Sequence, residues 1–434
     1  MQPLNKAPLK IAIAGLGTVG AGTLRLLRDH ADLLADRAGR PLVVTAVSAR
    51  DRSRDRGISV DGLDWYDNAE TLAAEADIDV LVEVIGGGEG IALAAVRRAL
   101  ARGIPVVTAN KAMLARHGLE LALAAEAKGV ALAYEAAVAG GIPIIKALRE
   151  GLAGNRLSQV YGILNGTCNY ILSTMRDSGR DFGDVLDEAQ RLGYAEADPS
   201  FDIDGVDAAH KLAILTSLAF GVPVDLDSLH IEGIRHISAL DIQYADELGY
   251  RIKLLGIARR TELGVEQRVH PCFVPLASPI AHVDGVFNAV VAEGDYVGRS
   301  VYEGRGAGAG PTASAVVADL VDIAAGRFSP TFGVSAERLK PLPVSPPAQR
   351  RGAYYVRLMV VDRPGVFADV ANILKDEEVS MESIRQSGRA PGETVPVVIT
   401  VHDTVEAAML RAVERIGALP AVVEPPRVIR IEAL

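Results

Sequence analysis

The run Lys10-Ile11-Ala12-Ile13-Ala14-Gly15-Leu16-Gly17-Thr18-Val19-Gly20 constrains this chain most. It reads as a short buried strand, a GxGxxG turn and the start of a helix. Gly15 permits the tight turn, Gly17 lets the backbone approach a pyrophosphate, and Gly20 lets helix and strand pack closely. The helix N-terminus that follows favours an anion. A glycine turn alone says little, but this one follows the first strand and opens a helix within a βαβ pattern, the context it requires. Gly15, Leu16, Gly17, Thr18, Val19 and Gly20 are therefore the candidate dinucleotide-binding residues.

The first third repeats that pattern. Apolar runs at 11–14, 43–47, 80–85, 106–108 and 130–134 alternate with helical composition at 22–30, 69–76, 91–101 and 119–128. Continuous apolar strands separated by helices predict a parallel sheet covered on both faces. Beyond about residue 140 the pattern becomes mixed. Helices are expected at 182–191, 205–220 and 246–258, and strands at 157–164, 267–275 and 289–293. A second glycine-rich segment, 304–310, opens a helix at 313–325. Four prolines between Leu339 and Ala348 predict a stiff extended linker and a domain boundary. The tail reads strand, helix, strand, strand, helix, strand, a ferredoxin-like βαββαβ order.

Composition narrows the function classes. A net charge of −10 gives no basic stripe for nucleic acid. No apolar stretch reaches the roughly 18 residues of a membrane helix, and the polar start runs straight into a strand, without a secretory signal. Two cysteines, Cys168 and Cys272, cannot build a disulfide framework, and no Cys/His cluster has zinc spacing. The expectation is a cytoplasmic enzyme.

After the second strand, an NAD site usually offers a carboxylate to the ribose. Here the chain continues Ser48-Ala49-Arg50-Asp51-Arg52-Ser53-Arg54-Asp55-Arg56. Arg50, nearest the strand end, can take a 2′-phosphate, which tilts the expectation toward NADP with NAD still possible. A solvated loop of mixed charge fits the other arginines as well.

The densest chemistry runs from Gly193 to Lys211. Glu196, Asp198, Asp202, Asp204 and Asp207 place five carboxylates within twelve residues, leading into a helix. Carboxylates at a helix start are favourable on dipole and capping grounds alone, and that suffices for Asp198 and Asp204. Asp207 and Lys211 share a helix face that continues with Ile214 and Leu218, as a pocket-lining pair would. Lys111 follows a parallel strand at the edge where ligands bind, although a surface lysine at a helix start has the same pattern. Glu135 and the following Val138, Gly140 and Ile142 could ligate a hard cation, or form a bend between domains.

These residues resemble homoserine dehydrogenase of the single-function bacterial type with a C-terminal ACT domain. The resemblance covers nearly the whole length. Its most specific stretches are 164–171, 193–199 and 202–211, with support from 108–111 and 306–310. It implies reversible NAD(P)H-dependent interconversion of L-aspartate 4-semialdehyde and L-homoserine, within threonine, methionine and isoleucine biosynthesis. By that resemblance Lys211 is the proton donor, with Lys111 a second candidate near the nicotinamide. Glu196 binds the substrate amino group, Asp202 and Asp207 support it, and Gly193 and Gly308 lie near the cofactor. Glu135, Val138, Gly140 and Ile142 match a monovalent-cation site, sodium by the family pattern. In the tail, Asp362, Pro364 and Gly365 fall where ACT domains bind amino acids, which implies feedback inhibition by L-threonine and a homo-oligomer, dimer or tetramer. The domains expected are 1–137 (Rossmann-like, with the helix near 311–326 packing back on it), 138–327 (α+β, catalytic and dimerisation), 328–352 (linker) and 353–434 (ACT).

Two rivals remain at this point. Another amino-acid semialdehyde dehydrogenase would need a nucleophilic cysteine, for which Cys168 is the candidate. A non-catalytic amino-acid sensor would keep the nucleotide fold without the constellation from Glu196 to Lys211.

Overall fold

A computed structural model describes residues 6–386 and 392–434. Six parallel strands, β1 (Leu9–Ala14), β2 (Leu42–Ser48), β3 (Asp64–Tyr66), β4 (Val80–Glu83), β5 (Val106–Thr108) and β6 (Leu132–Ala133), form one sheet in the order β3-β2-β1-β4-β5-β6. This is the doubly wound Rossmann order. The continuous apolar runs have a direct structural cause. Ala12, Ala14 and Leu81 join one core, while Ile11, Ile13, Val80 and Val82 join another on the opposite face.

Helices Ala69–Glu75, Ile91–Ala101 and Lys111–Lys128 cover the first face. Helix Thr18–Asp29 covers part of the second through Leu24 and Leu27. The rest is closed from far along the chain, by Val316 and Leu320 of helix Ala309–Ala325.

The other strands are β7 (Leu157–Ile163), β8 (His230–Ile231), β9 (Tyr250–Thr261), β10 (Gly264–Pro275), β11 (Phe287–Gly294), β12 (Gly298–Arg305), β13 (Arg351–Val361), β14 (Met381–Gln386), β15 (Thr394–Val405) and β16 (Arg427–Ile431). They build one mixed sheet in the order β12-β11-β7-β9-β10-β16-β13-β15-β14, with β8 also on β10. The tail has the ferredoxin-like order expected, with helices Val366–Asp376 and Glu406–Gly417 on one face.

One sequence expectation is overturned. The helix expected at 246–258 is instead the end of helix Ala239–Glu247 followed by β9. Leu248 caps the helix and Gly249 turns the chain at φ +83. β9 then lies between β7 and β10, so Ile252, Leu254, Leu255 and Ile257 are all buried. A run buried on both faces lacks the alternation that separates strand from helix.

The tail does not hang from a free linker. The second edge of β10 is occupied in three places: Val344 of the proline-rich segment pairs at Val265, β8 at Arg268 and Val269, and β16 at Cys272 and Phe273. The remaining tail face packs on helix Ala239–Glu247, where Asp241 accepts from Arg357 Nε at 2.7 Å and from the Tyr355 hydroxyl at 3.1 Å. Buried charges complete the junction, with Arg268 against both oxygens of Glu432 at 3.0 Å.

Candidate active site

The carboxyl ends of the parallel strands open onto a cavity of about 570 Å³ between the two sheets. Each wall traces to a local feature of the chain. The glycine turn contributes Val19. Gly15 adopts φ +103, and a Cβ at Gly20 would lie 1.9 Å from the Gly15 carbonyl oxygen. No atom lies within 4 Å of a Cβ built on Gly17, so the turn is tight against its own helix and open toward the position a ligand would take. Gly308, at φ +115, starts helix Ala309–Ala325, whose first residue lies close against Gly22 of the glycine-turn helix, and Gly193, at φ +76, also lines the cavity.

The polar centre is Asp207, in the first turn of helix Val206–Phe220 and only 4 % exposed. Lys211, one turn later, donates to Asp207 Oδ2 at 2.7 Å and to the Leu164 carbonyl at 2.7 Å. Lys111, first residue of its helix, places Nζ 3.1 Å from Asp207 Oδ1. Asn165, the N-cap of helix Gly166–Ser178, donates to Asp202 Oδ1 and Asp207 Oδ2, both at 2.8 Å. Burial pushes Asp207 up, but the charges of Lys211 and Lys111 outweigh it and hold the carboxyl well below the usual carboxylate range. Burial, then the Asp207 charge, raise Asp202. Neighbouring carboxylates driven in opposite directions are what acid–base sites contain.

An ammonium has three donors. Lys211 uses two on Asp207 and Leu164, which leaves one for a ligand. Asn288 is also on the wall, 1 % exposed, and its Oδ1 has no partner among the described residues. Neither Asn165 nor Asn288 is among the sequence candidates. An asparagine directly after an apolar strand, capping a helix, was the available signal for Asn165; Asn288 gave none.

Among sequence candidates, Val19, Lys111, Gly140, Gly193, Asp202, Asp207, Lys211 and Gly308 line this cavity. Glu196 does not: it is exposed, in the irregular segment before helix Ser200–Ile203, and its backbone carbonyl accepts from Gln190. Arg50 is exposed beyond β2, without a side-chain hydrogen bond or ion pair among the described residues. Arg56 instead reaches the glycine turn, donating to the Leu16 carbonyl at 3.1 Å.

Glu135 is buried, and both carboxylate oxygens accept backbone amides, from Ile145 at 2.8 Å and Lys146 at 2.9 Å. Burial and nearby Asp319 push it up to about 7. The Ile142 carbonyl accepts from Ile144. The buried carbonyls of Val138 and Gly140 accept no hydrogen bond among the described residues, so they suit a cation. No group of three or more His, Cys, Asp or Glu among the described residues is placed to hold a metal.

Cys168 is fully buried, its thiol is pushed well above its ordinary value chiefly by burial, and Sγ donates to the Asp202 carbonyl. It is not a poised nucleophile. In the tail, Asp362, Pro364 and Gly365 line a separate cavity of about 540 Å³ with Phe367 and Gln386.

Comparison with known proteins decides the family. Residues 143–321 match the homoserine dehydrogenase catalytic domain, 15–135 its NAD-binding domain, and 354–418 the ACT domain. The chain belongs to the homoserine dehydrogenase family. It is 48 % identical to homoserine dehydrogenase of Pseudomonas aeruginosa, over 98 % of this chain and 99 % of that one. A solved homoserine dehydrogenase from Thiobacillus denitrificans superposes with a TM-score of 0.92 at 48 % identity, covering 98 % of each chain. A hyperthermophilic archaeal homoserine dehydrogenase, solved in complex with NADPH, gives 0.64 at 27 % identity, covering 75 % of this chain and 99 % of that one. As a homoserine dehydrogenase, the chain is an oxidoreductase acting on a CH–OH group, with a nicotinamide cofactor and a C-terminal ACT domain. No helix among the described residues is long and apolar enough to cross a membrane.

Proposed function

We propose that L-aspartate 4-semialdehyde is reduced to L-homoserine, reversibly, at the cavity between the two sheets, with Lys211, Lys111, Asp207 and Asp202 binding and orienting it and supplying the proton. The convergence of two ammonium groups on Asp207 carries this reading. The bound nicotinamide supplies the hydride. Charge then develops on the aldehyde oxygen, where the remaining N–H of Lys211 stabilises it and gives up a proton, a step worth roughly 10²–10⁴-fold. Asp207 fixes the lysine, and Asp202 supports the polar wall through Asn165. Glu196 is retained as the partner of the substrate ammonium by family resemblance alone.

The glycine turn, Lys111, Gly193 and Gly308 are the residues proposed to hold the dinucleotide. We favour NADP over NAD because the exposed Arg50 follows β2 and the neighbouring carboxylate of Asp51 accepts from Ser53, while Arg56 reaches the glycine turn at the Leu16 carbonyl. The NADPH complex of the archaeal relative agrees with this. A monovalent cation, sodium by the family pattern, is proposed on Val138 and Gly140 with Glu135 and Ile142 around it. L-threonine is proposed as the effector, in the cavity at Asp362, Pro364 and Gly365, in a cytoplasmic homo-oligomer.

The deciding experiment is an NADPH-oxidation assay with L-aspartate 4-semialdehyde and identification of the product. Homoserine formed in step with NADPH consumed is expected. No oxidation by folded protein would overturn the reading.

A further inference from the structure

The last strand of the ACT domain touches the catalytic region through Arg430. This residue of β16 is nine-tenths buried and divides its guanidinium between two carboxylates. Nε and Nη2 face Glu406 within the ACT domain, and Nη1 lies 2.9 Å from both oxygens of Glu232. Glu232 directly follows β8. Its amide donates to the Val269 carbonyl on β10 at 2.7 Å, and His230 Nε2 lies 2.7 Å from its carboxylate. The 230–232 segment is thus fixed by β10 through its backbone and by β16 through its side chain.

This segment supports the start of the catalytic helix. A Cβ at Gly233 would lie 2.3 Å from the Ile203 carbonyl oxygen and 2.5 Å from the Asp204 Cα, so the two backbones are in direct contact. The Ile234 amide donates to the Ile203 carbonyl at 2.9 Å. Gly205, the N-cap of helix Val206–Phe220, rests against Ile231 and Val269. Residues 203–206 connect Asp202 to Asp207, and Lys211 follows one turn later.

We infer that Arg430, acting through Glu232, is a positioning residue for the homoserine dehydrogenase reaction, holding the segment that sets the start of the Asp207–Lys211 helix. The inference rests on the assignment of Asp207 and Lys211 to the chemistry. The ACT domain thereby supplies part of the catalytic framework itself. A second contact between the same two regions gives a contrast. Arg357 is buried as Arg430 is, and its partner Asp241 is more deeply buried than Glu232, but Asp241 lies on helix Ala239–Glu247, which contributes nothing to the cavity.

The test uses full-length Arg430→Gln, Arg430→Lys, Glu232→Gln, the Arg430→Gln/Glu232→Gln double variant and Arg357→Gln. Thermal stability, kcat, both KM values and amide hydrogen exchange at 203–210 are measured. Arg430→Gln is expected to lower kcat by about ten- to hundredfold, in line with a small displacement of reacting groups. KM for NADPH should stay near wild type, and exchange at 203–210 should quicken. Arg430→Lys should recover much of the loss, and the double variant should be no worse than the poorer single one. Arg357→Gln should lose stability with normal kcat. Should Arg430→Gln not fold, Glu232→Gln reads the same link.

Unchanged kcat with unchanged exchange, or equal kcat losses in Arg430→Gln and Arg357→Gln, would overturn the inference. Faster exchange with wild-type kcat would overturn it differently, placing the fault in the assignment of Asp207 and Lys211. A Lys211→Met control separates the cases, because its normal turnover would remove that assignment independently.

Discussion

Lys111 and Lys211, carried on different helices, hold different oxygens of the one buried carboxylate of Asp207, at 3.1 Å and 2.7 Å. The pair is organised around the aspartate, so removing either lysine and removing the aspartate should have different signatures. Lys211→Met should lower kcat by roughly 10²–10⁴-fold, with NADPH affinity near wild type. Asp207→Asn should also lose stability, by about 3–5 kcal/mol, because it leaves buried charge unpaired. Steady-state kinetics and urea unfolding distinguish these results. Near-normal turnover in Lys211→Met with loss in Lys111→Met would transfer the proton to Lys111.

The glycine turn allows a clean separation of fold from binding. Gly17→Ala meets no atom within 4 Å, so its melting temperature should match wild type while KM for the dinucleotide rises. Gly20→Ala collides with the Gly15 carbonyl and should destabilise the protein itself, by about 1–3 kcal/mol or more. Equal melting temperatures for the two variants would contradict this geometry.

Cofactor choice tests two arginines that the structure treats differently. Arg50 is exposed and free to meet a phosphate, whereas Arg56 is committed to the Leu16 carbonyl. Arg50→Ala should therefore lower kcat/KM for NADPH relative to NADH, by an amount on the order of one charge-assisted hydrogen bond, about tenfold. Arg56→Ala should weaken both cofactors by disturbing the turn. An unchanged NADPH/NADH ratio in Arg50→Ala would exclude it as the phosphate ligand.

Acid should loosen the junction between the ACT domain and the catalytic region. Burial raises the Glu232 carboxyl, but the His230 hydrogen bond and Arg430 charge outweigh it and bring it to about 2, against an ordinary 4.5. A carboxyl depressed on folding contributes stability above 4.5, and that contribution is lost as pH falls toward 2. The urea midpoint of the wild type should fall across that window, and Glu232→Gln should show a weaker dependence there. Parallel curves for the two proteins would refute the assignment.

Threonine regulation cannot be tested by simply cutting the tail away. Truncation near Pro343 would strip β16 and β13 from the sheet, expose Phe273 where Tyr355 now stacks at 4.6 Å, and leave Arg268 without Glu432. The truncated protein should aggregate or melt early. Asp362→Ala and Gly365→Val in the full chain are better probes. They should raise the threonine concentration needed for inhibition while leaving uninhibited kcat near wild type. Undiminished inhibition in both would remove the proposed effector site.

Different parts of this molecule were legible in sequence for different reasons. The nucleotide-binding sheet was legible because its strands are short, apolar and separated by well-formed helices. The same local rule failed at β9, where an equally apolar run follows a true helix and only the neighbours β7 and β10 identify it as a strand. The lysines and Asp207 could be found because helix periodicity places residues 207 and 211 together. The role of Asn165 has no local pattern, because it depends on carboxylates brought to it by two other helices. The pairing of β10 with β16 had no local signal, because Arg268, His270 and Glu432 find each other only once the strands are adjacent.

Helix Ala309–Ala325 has a consequence for how the protein is made. On the ribosome, the strand set ends at Ala133, yet the face bearing Ile11, Ile13, Val80 and Val82 lacks its last cover until that helix emerges. At ordinary elongation rates this interval is roughly ten to forty seconds. Throughout it, a nascent domain with a nearly finished sheet presents a partly bare apolar surface to the cell.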